Sequence, residues 1–83
     1  MKPHKLLSII WVDAFCERSE WMFESDLAKS AIYKVHSVGH LIREDNNEIV
    51  LCQNISQETD HISNCIHIPK GMIRKKTVLK LGV

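Results

Sequence analysis

Between Ser37 and Ile73 the chain is a succession of short runs of aliphatic and β-branched residues, each cut off by turn-forming residues before it could build a long helix. Ser37-Val38-Gly39-His40-Leu41-Ile42-Arg43-Glu44-Asp45 leads into Ile49-Val50-Leu51, and Ile66-His67-Ile68-Pro69-Lys70-Gly71-Met72-Ile73 follows. Strands that short, joined by tight turns, pair with their neighbours in sequence, so the pattern reads as an antiparallel meander.

The individual strands follow from parity and from the breakers. Ser63 to Ile68 alternates, with Asn64, Ile66 and Ile68 on one side and Ser63, Cys65 and His67 on the other. Pro69 has no amide hydrogen and should end that ladder. Lys70-Gly71-Met72 makes a tight turn into a last strand of Ile73, Thr77, Leu79 and Leu81, whose opposite parity carries Arg74, Lys76 and Lys80. Ala31 to Glu44 fits neither period cleanly. Its β-branched content and Gly39 decide for a strand bent at the glycine, where a bulge or sharp coil is expected. Asp45-Asn46-Asn47 supplies the turn, Ile49 to Ile55 the return strand, and Ser56 to His61 an exposed loop.

Leu6 to Phe15 reads as a first strand, buried on both faces near its middle. The Ser19 hydroxyl predicts the cap of a short helix near residues 19–28 that sets Trp21 against the core; an ordered loop over residues 16–30 is the alternative. Five strands in 83 residues with short connections imply one mainly β domain spanning residues 1–83, a strongly bent antiparallel sheet or small barrel. A domain of this size buries only about 60% of its unfolded surface, so association with further copies is a natural source of stability.

A formal charge of +1 excludes a strongly basic domain devoted to phosphate. The distribution says more. Asp13, Glu17, Glu20, Glu24 and Asp26 stand against Arg18 alone, whereas Lys70, Arg74, Lys75, Lys76 and Lys80 follow His61 without an acid. Cys16, Cys52 and Cys65 are odd in number and far apart, which argues against a disulfide framework. The longest apolar stretch, Ile9 to Val12, is far short of a membrane span, so a cytoplasmic chain with reduced thiols and no membrane contact is expected.

At Gly39 and Leu41, the acidic turn at Asp45, Ile49-Val50-Leu51, and Ile68-Pro69-Lys70 with Ile73, the chain resembles the two sequence blocks of the Sm-like family, which includes the bacterial RNA chaperone Hfq. The resemblance covers roughly residues 35 to 80. It implies a highly bent five-stranded sheet behind an N-terminal helix, with protomers joined edge to edge into rings that bind single-stranded RNA. Here a strand precedes the helix, and of the Lys-His pair by which the chaperone reaches uridine only Lys70 has a counterpart. Over most of its length the chain also looks like a group of small uncharacterised phage proteins. The shared residues are Trp11-Val12-Asp13, Trp21, Ser37-Val38-Gly39, Glu44-Asp45 and Ile68-Pro69. That second resemblance implies a phage or prophage origin, and hence the cytoplasm of a bacterial host.

Candidate sites follow. Lys70, Arg74 and Lys76 could bind phosphate, with Asn54 and His61 offering polar contacts to bases. The competing use of the basic block is to blunt an exposed sheet edge. Glu17, Glu20 and Glu24 could contact a host protein. No metal or other cofactor is expected: His36 and His40 on one strand would lie roughly 13 Å apart, and Cys52 and Cys65 read as small apolar residues. Asp13 is expected to cap a turn rather than to serve as a catalytic acid, so the chain is expected not to be an enzyme. Core packing is the expected use of Trp11 and Trp21, and an exposed pair for a partner or for bases the alternative.

Overall fold

The computed structural model describes residues 4–14, 21–27 and 32–80. Five strands form: β1 (Leu6–Asp13), β2 (Tyr33–Glu44), β3 (Glu48–Ser56), β4 (His61–Pro69) and β5 (Ile73–Leu79). They make one sheet in the order β4-β3-β2-β1-β5, antiparallel at every pairing. The sheet is open. Among the described residues nothing pairs with the outer edges of β4 and β5.

The irregularity expected in β2 is present, but it lies at Ile42 rather than at Gly39. β2 serves two ladders in succession: Tyr33 to His40 lie opposite Asp13 to Leu6 of β1, and His40 to Glu44 lie opposite Cys52 to Ile49 of β3. The second register shifts between Leu41 and Arg43, so Ile42 is the extra residue of a bulge, and a bulge bends the strand that carries it. Gly39 does a different job. A Cβ there would stand 2.8 Å from the carbonyl oxygen of Cys52 and 3.2 Å from Cβ of Leu51, so the missing side chain lets β2 approach β3. No glycine has a positive φ among the described residues. Gly39→Ala should therefore cost about 1–3 kcal/mol through steric overlap, seen as a lower urea midpoint with an unchanged slope.

Residues directly opposite in an antiparallel pair share a face, which gathers Leu7 and Ile9 of β1, Ile49 and Leu51 of β3, and Ile68 of β4 into the core. Trp11, Leu41, Ile66 and Ile73 pack around them. The Trp11 indole N–H donates to Ser37 Oγ at 3.0 Å, so the ring is used in packing without an orphaned donor. The centre of β3 is buried on both faces, because Val50 and Cys52 are covered as well.

Two expectations change. No α-helix occupies the described part of residues 19–28: a single 3-10 turn, Glu24–Asp26, interrupts extended backbone at Phe23 and Leu27. Ser19, the expected cap, lies outside the described residues. Trp21 is fully exposed rather than set against the core. Pro69 ends the β4 ladder as expected: it lies opposite Glu48 as the last residue of the strand, on a sheet edge where a missing amide costs least. The Lys70–Met72 turn is a second 3-10 turn, and Gln57 to Asp60 connect β3 to β4, with Asp60 in the left-handed region at φ 57 and its amide donating to Ser56 O at 3.0 Å.

Candidate nucleic-acid interface

The β2 bulge decides where Glu44 goes. Past Ile42 the register sets Glu44 opposite Ile49 at the end of the core, beside the turn between β4 and β5. That turn is held in place by the Lys70 amide, which donates to Asn47 O at 2.8 Å. The Nζ atoms of Lys70 and Lys76 then both lie 3.1 Å from Glu44 Oε2. Arg74, the residue skipped where the β1–β5 register shifts between Ile10 and Trp11, donates from its guanidinium to Gly71 O at 3.1 Å. Two of the five expected nucleic-acid contacts, Lys70 and Lys76, thus meet at one corner, with Arg74 beside the turn. The corner is a shallow groove of about 230 Å³ lined by Glu44, Ile49, Lys70, Ile73 and Lys76. Lys76 lies opposite Ile9 whereas Lys75 lies opposite Ile10, so Lys75 faces the other side of the sheet.

The corner is not a bare cationic patch. Hydrogen bonds from Lys76 and then Lys70 hold the Glu44 carboxyl below its ordinary range, so one acid is shared by two bases. These pairs are half exposed and contribute little to stability individually. Their effect is on the field: the Glu44 carboxylate offsets part of the positive charge of Lys70 and Lys76.

Next to it, Asp45 Oδ1 accepts from the amides of Asn47 at 2.8 Å and Glu48 at 2.9 Å, which makes the expected Asp45-Asn46-Asn47 turn. Glu48 bridges Arg43 at 3.0 Å and His67 Nδ1 at 2.8 Å. The two Asp45 amide bonds lower that carboxyl, and the bond from His67, followed by that from Arg43, lowers Glu48. For a depressed carboxyl the stabilising contribution is complete above the unfolded value, ordinarily 4.5 for Glu44 and Glu48 and 3.8 for Asp45, and is lost as pH falls through the folded value. The urea midpoint should therefore hold steady down to about pH 5 and fall below it. In a Glu44→Gln/Glu48→Gln variant the fall should be shallower.

Asn54 and His61 are elsewhere. Beyond Cys52, β3 no longer pairs with β2, and its continuation with β4 forms a two-stranded arm. Asn54 Nδ2 donates to Ser63 Oγ at 3.0 Å across that arm, and His61 lies opposite Ser56 at its end. Along β4, His61 and Lys70 are separated by up to about 30 Å at roughly 3.3 Å per residue. Within one protomer the five residues make two sites, not one. The expected partner-binding acids Glu17 and Glu20 lie outside the described residues; Glu24 opens the 3-10 turn and is exposed.

Around Glu24 the structure discloses what residue types alone could not. Trp21, Met22, Phe23 and Leu27 are all exposed, and Trp21, Met22, Phe23 and Asp26 line an open hollow of about 400 Å³. Asp13 is exposed and accepts from the Ala14 amide at 2.8 Å, a local backbone contact rather than an apolar setting. Among the described residues no three His, Cys, Asp or Glu side chains are grouped to hold a metal ion, and no helix is long and apolar enough to cross a membrane. His36 instead meets Ser8 through Nε2 and Oγ.

With this geometry in hand, comparison of the chain with protein-family models, curated proteins and solved structures finds no match.

Proposed function

We propose that this is a non-enzymatic, phage-type protein of the Sm-like class that assembles into a homo-oligomer through its sheet edges and binds single-stranded RNA at the Lys70, Arg74 and Lys76 corner. The observation that carries the reading is the strand order β4-β3-β2-β1-β5, which leaves two different edges, β4 and β5, open on one sheet. Edge pairing of β4 on one copy with β5 on the next satisfies both rows of backbone groups, and a heterologous contact of that kind gives a ring where its rotation closes. Closure also answers the separation of the two sites. Each Lys70 corner would be supplied with the Asn54 and His61 arm of a neighbour, and a ring would repeat the combination around its axis.

The test has two parts. Sedimentation equilibrium should return a closed multiple of the protomer mass, and fluorescence anisotropy with a single-stranded RNA oligomer should show binding that weakens steeply with salt. A mass of one protomer removes the assembly, and absent or salt-independent binding removes the RNA.

A second reading is favoured by the exposed Trp21, Phe23 and Leu27 beside Glu24 and Asp26: a module that grips a host protein by aromatic anchors ringed with acid. Glu17 and Glu20 would extend its acidic rim. A stoichiometric host partner recovered from lysate and lost in both Trp21→Ala and the Glu17, Glu20 and Glu24 charge reversal would decide for this reading over the first.

A further inference from the structure

The β3–β4 register brings together two cysteines that the sequence separates. Cys52 and Cys65 are direct partners across the ladder. The kind of pair they form follows from the end of the same ladder, where the Lys70 amide donates to Asn47 O at 2.8 Å. Hydrogen-bonded pairs alternate with non-bonded ones in an antiparallel ladder. Counting along from Asn47 and Lys70, Ile49/Ile68 and Leu51/Ile66 are hydrogen-bonded and Cys52/Cys65 is not. In a non-bonded pair the Cα atoms are about 4.5 Å apart and the side chains are at their closest, within the span a disulfide bridges. The Asn54–Ser63 side-chain bond one step along the same parity, at 3.0 Å, shows that side chains of this parity do meet.

The two thiols differ in a useful way. Cys65 is exposed and Cys52 is buried. Both line a groove of about 440 Å³ that opens where the first half of β2 departs from β3, with His36, Val38, Gln53 and Asn64 among its other walls. Asn64, next to Cys65, sits in the left-handed region at φ 56, and the Gln53–Asn64 pair is missing from an otherwise continuous register.

We propose that Cys52 and Cys65 form a reversible redox pair, oxidised to a cross-strand disulfide by low-molecular-weight disulfides such as oxidised glutathione. Cys65, which solvent reaches, attacks as the thiolate, breaks the S–S bond of the reagent, forms a mixed disulfide and releases one reagent thiolate. Cys52 then attacks the Cys65 sulfur, forms the cross-strand S–S bond and expels the second reagent thiolate. Two electrons pass from the two protein thiols to the reagent disulfide, and the two thiol protons end on the two reagent thiols. Burial, followed by the neighbouring Cys65, raises the Cys52 thiol above its ordinary range, and its S–H points to Asn54 O at 3.5 Å. The second step should therefore be the slower and quicken with pH. The bridge would tie the arm at its base, where β3 parts from β2.

The experiment uses the full chain carrying Cys16→Ser, exposed to oxidised glutathione and followed by intact mass and non-reducing peptide mapping. The expected product has lost two hydrogens, carries no glutathione and joins the Cys52 and Cys65 peptides within one chain. Adding Cys52→Ala should halt the reaction at a glutathione adduct on Cys65. A stable adduct on Cys65 with Cys52 present, a link between two chains, or no reaction at all overturns the proposal. Should Cys16→Ser fail to fold, the same map on the unsubstituted chain decides: a Cys52–Cys65 bridge supports the pair, and a bridge to Cys16 overturns it.

Discussion

Leu51→Ala should cost about 3 to 5 kcal/mol and sharply lower the urea midpoint of unfolding. Leu51 is among the fully buried side chains, between Leu41 of β2 and Ile66 of β4, so truncation leaves a cavity at the middle of the sheet where three strands meet. The total stability available to 83 residues is roughly 4 to 12 kcal/mol, of which this one side chain is a large part. The core offers little to collapse into the space, since among the described residues only Leu7, Ile9, Ile49 and Ile68 share its buried cluster. Urea unfolding followed by circular dichroism measures the loss. Ile62→Ala, at an exposed position on the arm, should change the midpoint by less than about 0.5 kcal/mol. Equal losses at both sites would contradict the placement of the core.

On the proposed RNA-binding reading, Glu44→Gln should strengthen binding of single-stranded RNA, on the order of tenfold in ~0.1 M salt. Lys70 and Lys76 now share Glu44, each at 3.1 Å, and that carboxylate offsets part of the positive charge either lysine offers a phosphate. Neutralising Glu44 frees both cations, and two added phosphate contacts steepen the salt dependence of a single-strand complex by about 1.4 on logarithmic axes. Lys70→Ala/Lys76→Ala should move affinity and slope the other way. Anisotropy titrations across a salt series read both quantities. Unchanged affinity in Glu44→Gln would show that the corner does not meet RNA, whatever the oligomeric state.

The strands were legible because burial imposes a period of two that survives in residue types, as in Ser63 to Ile68, and because Asp45 and Asn47 announce a turn by their own chemistry. The bulge at Ile42 was not legible. An extra residue leaves no mark in a run such as Leu41-Ile42-Arg43, and the neighbouring Gly39 invited the wrong position. The helix near residues 19–28 was inferred from a cap and an apolar cluster, but apolar side chains support a helix only when a core receives them, and Trp21, Phe23 and Leu27 face solvent. In the candidate site, Lys70, Arg74 and Lys76 were visible as a charge cluster. The acid shared by Lys70 and Lys76 was not, because Glu44 is brought to them by the β2 bulge and the β4–β5 turn rather than by proximity in sequence. The pairing of Cys52 with Cys65 was open to arithmetic once the Gln57 to Asp60 turn was placed, since both lie equally far from its centre.

The pairing of β5 with β1 also sets how this sheet must be put together. Leu6 lies opposite Leu79, whereas the β3–β4 ladder starts at Ser56 and His61 across a turn of a few residues. Bringing such distant positions into register costs roughly 2 kcal/mol more in loop entropy than closing the short turn. The long-range ladder is therefore the slow, rate-setting contact, and the β2–β3–β4 meander is the part that local chain closure favours first. Until β5 docks, Leu7 and Ile9 are uncovered along that side of β1. The interval between the two events is when the chain is most open to pairing with another copy of itself.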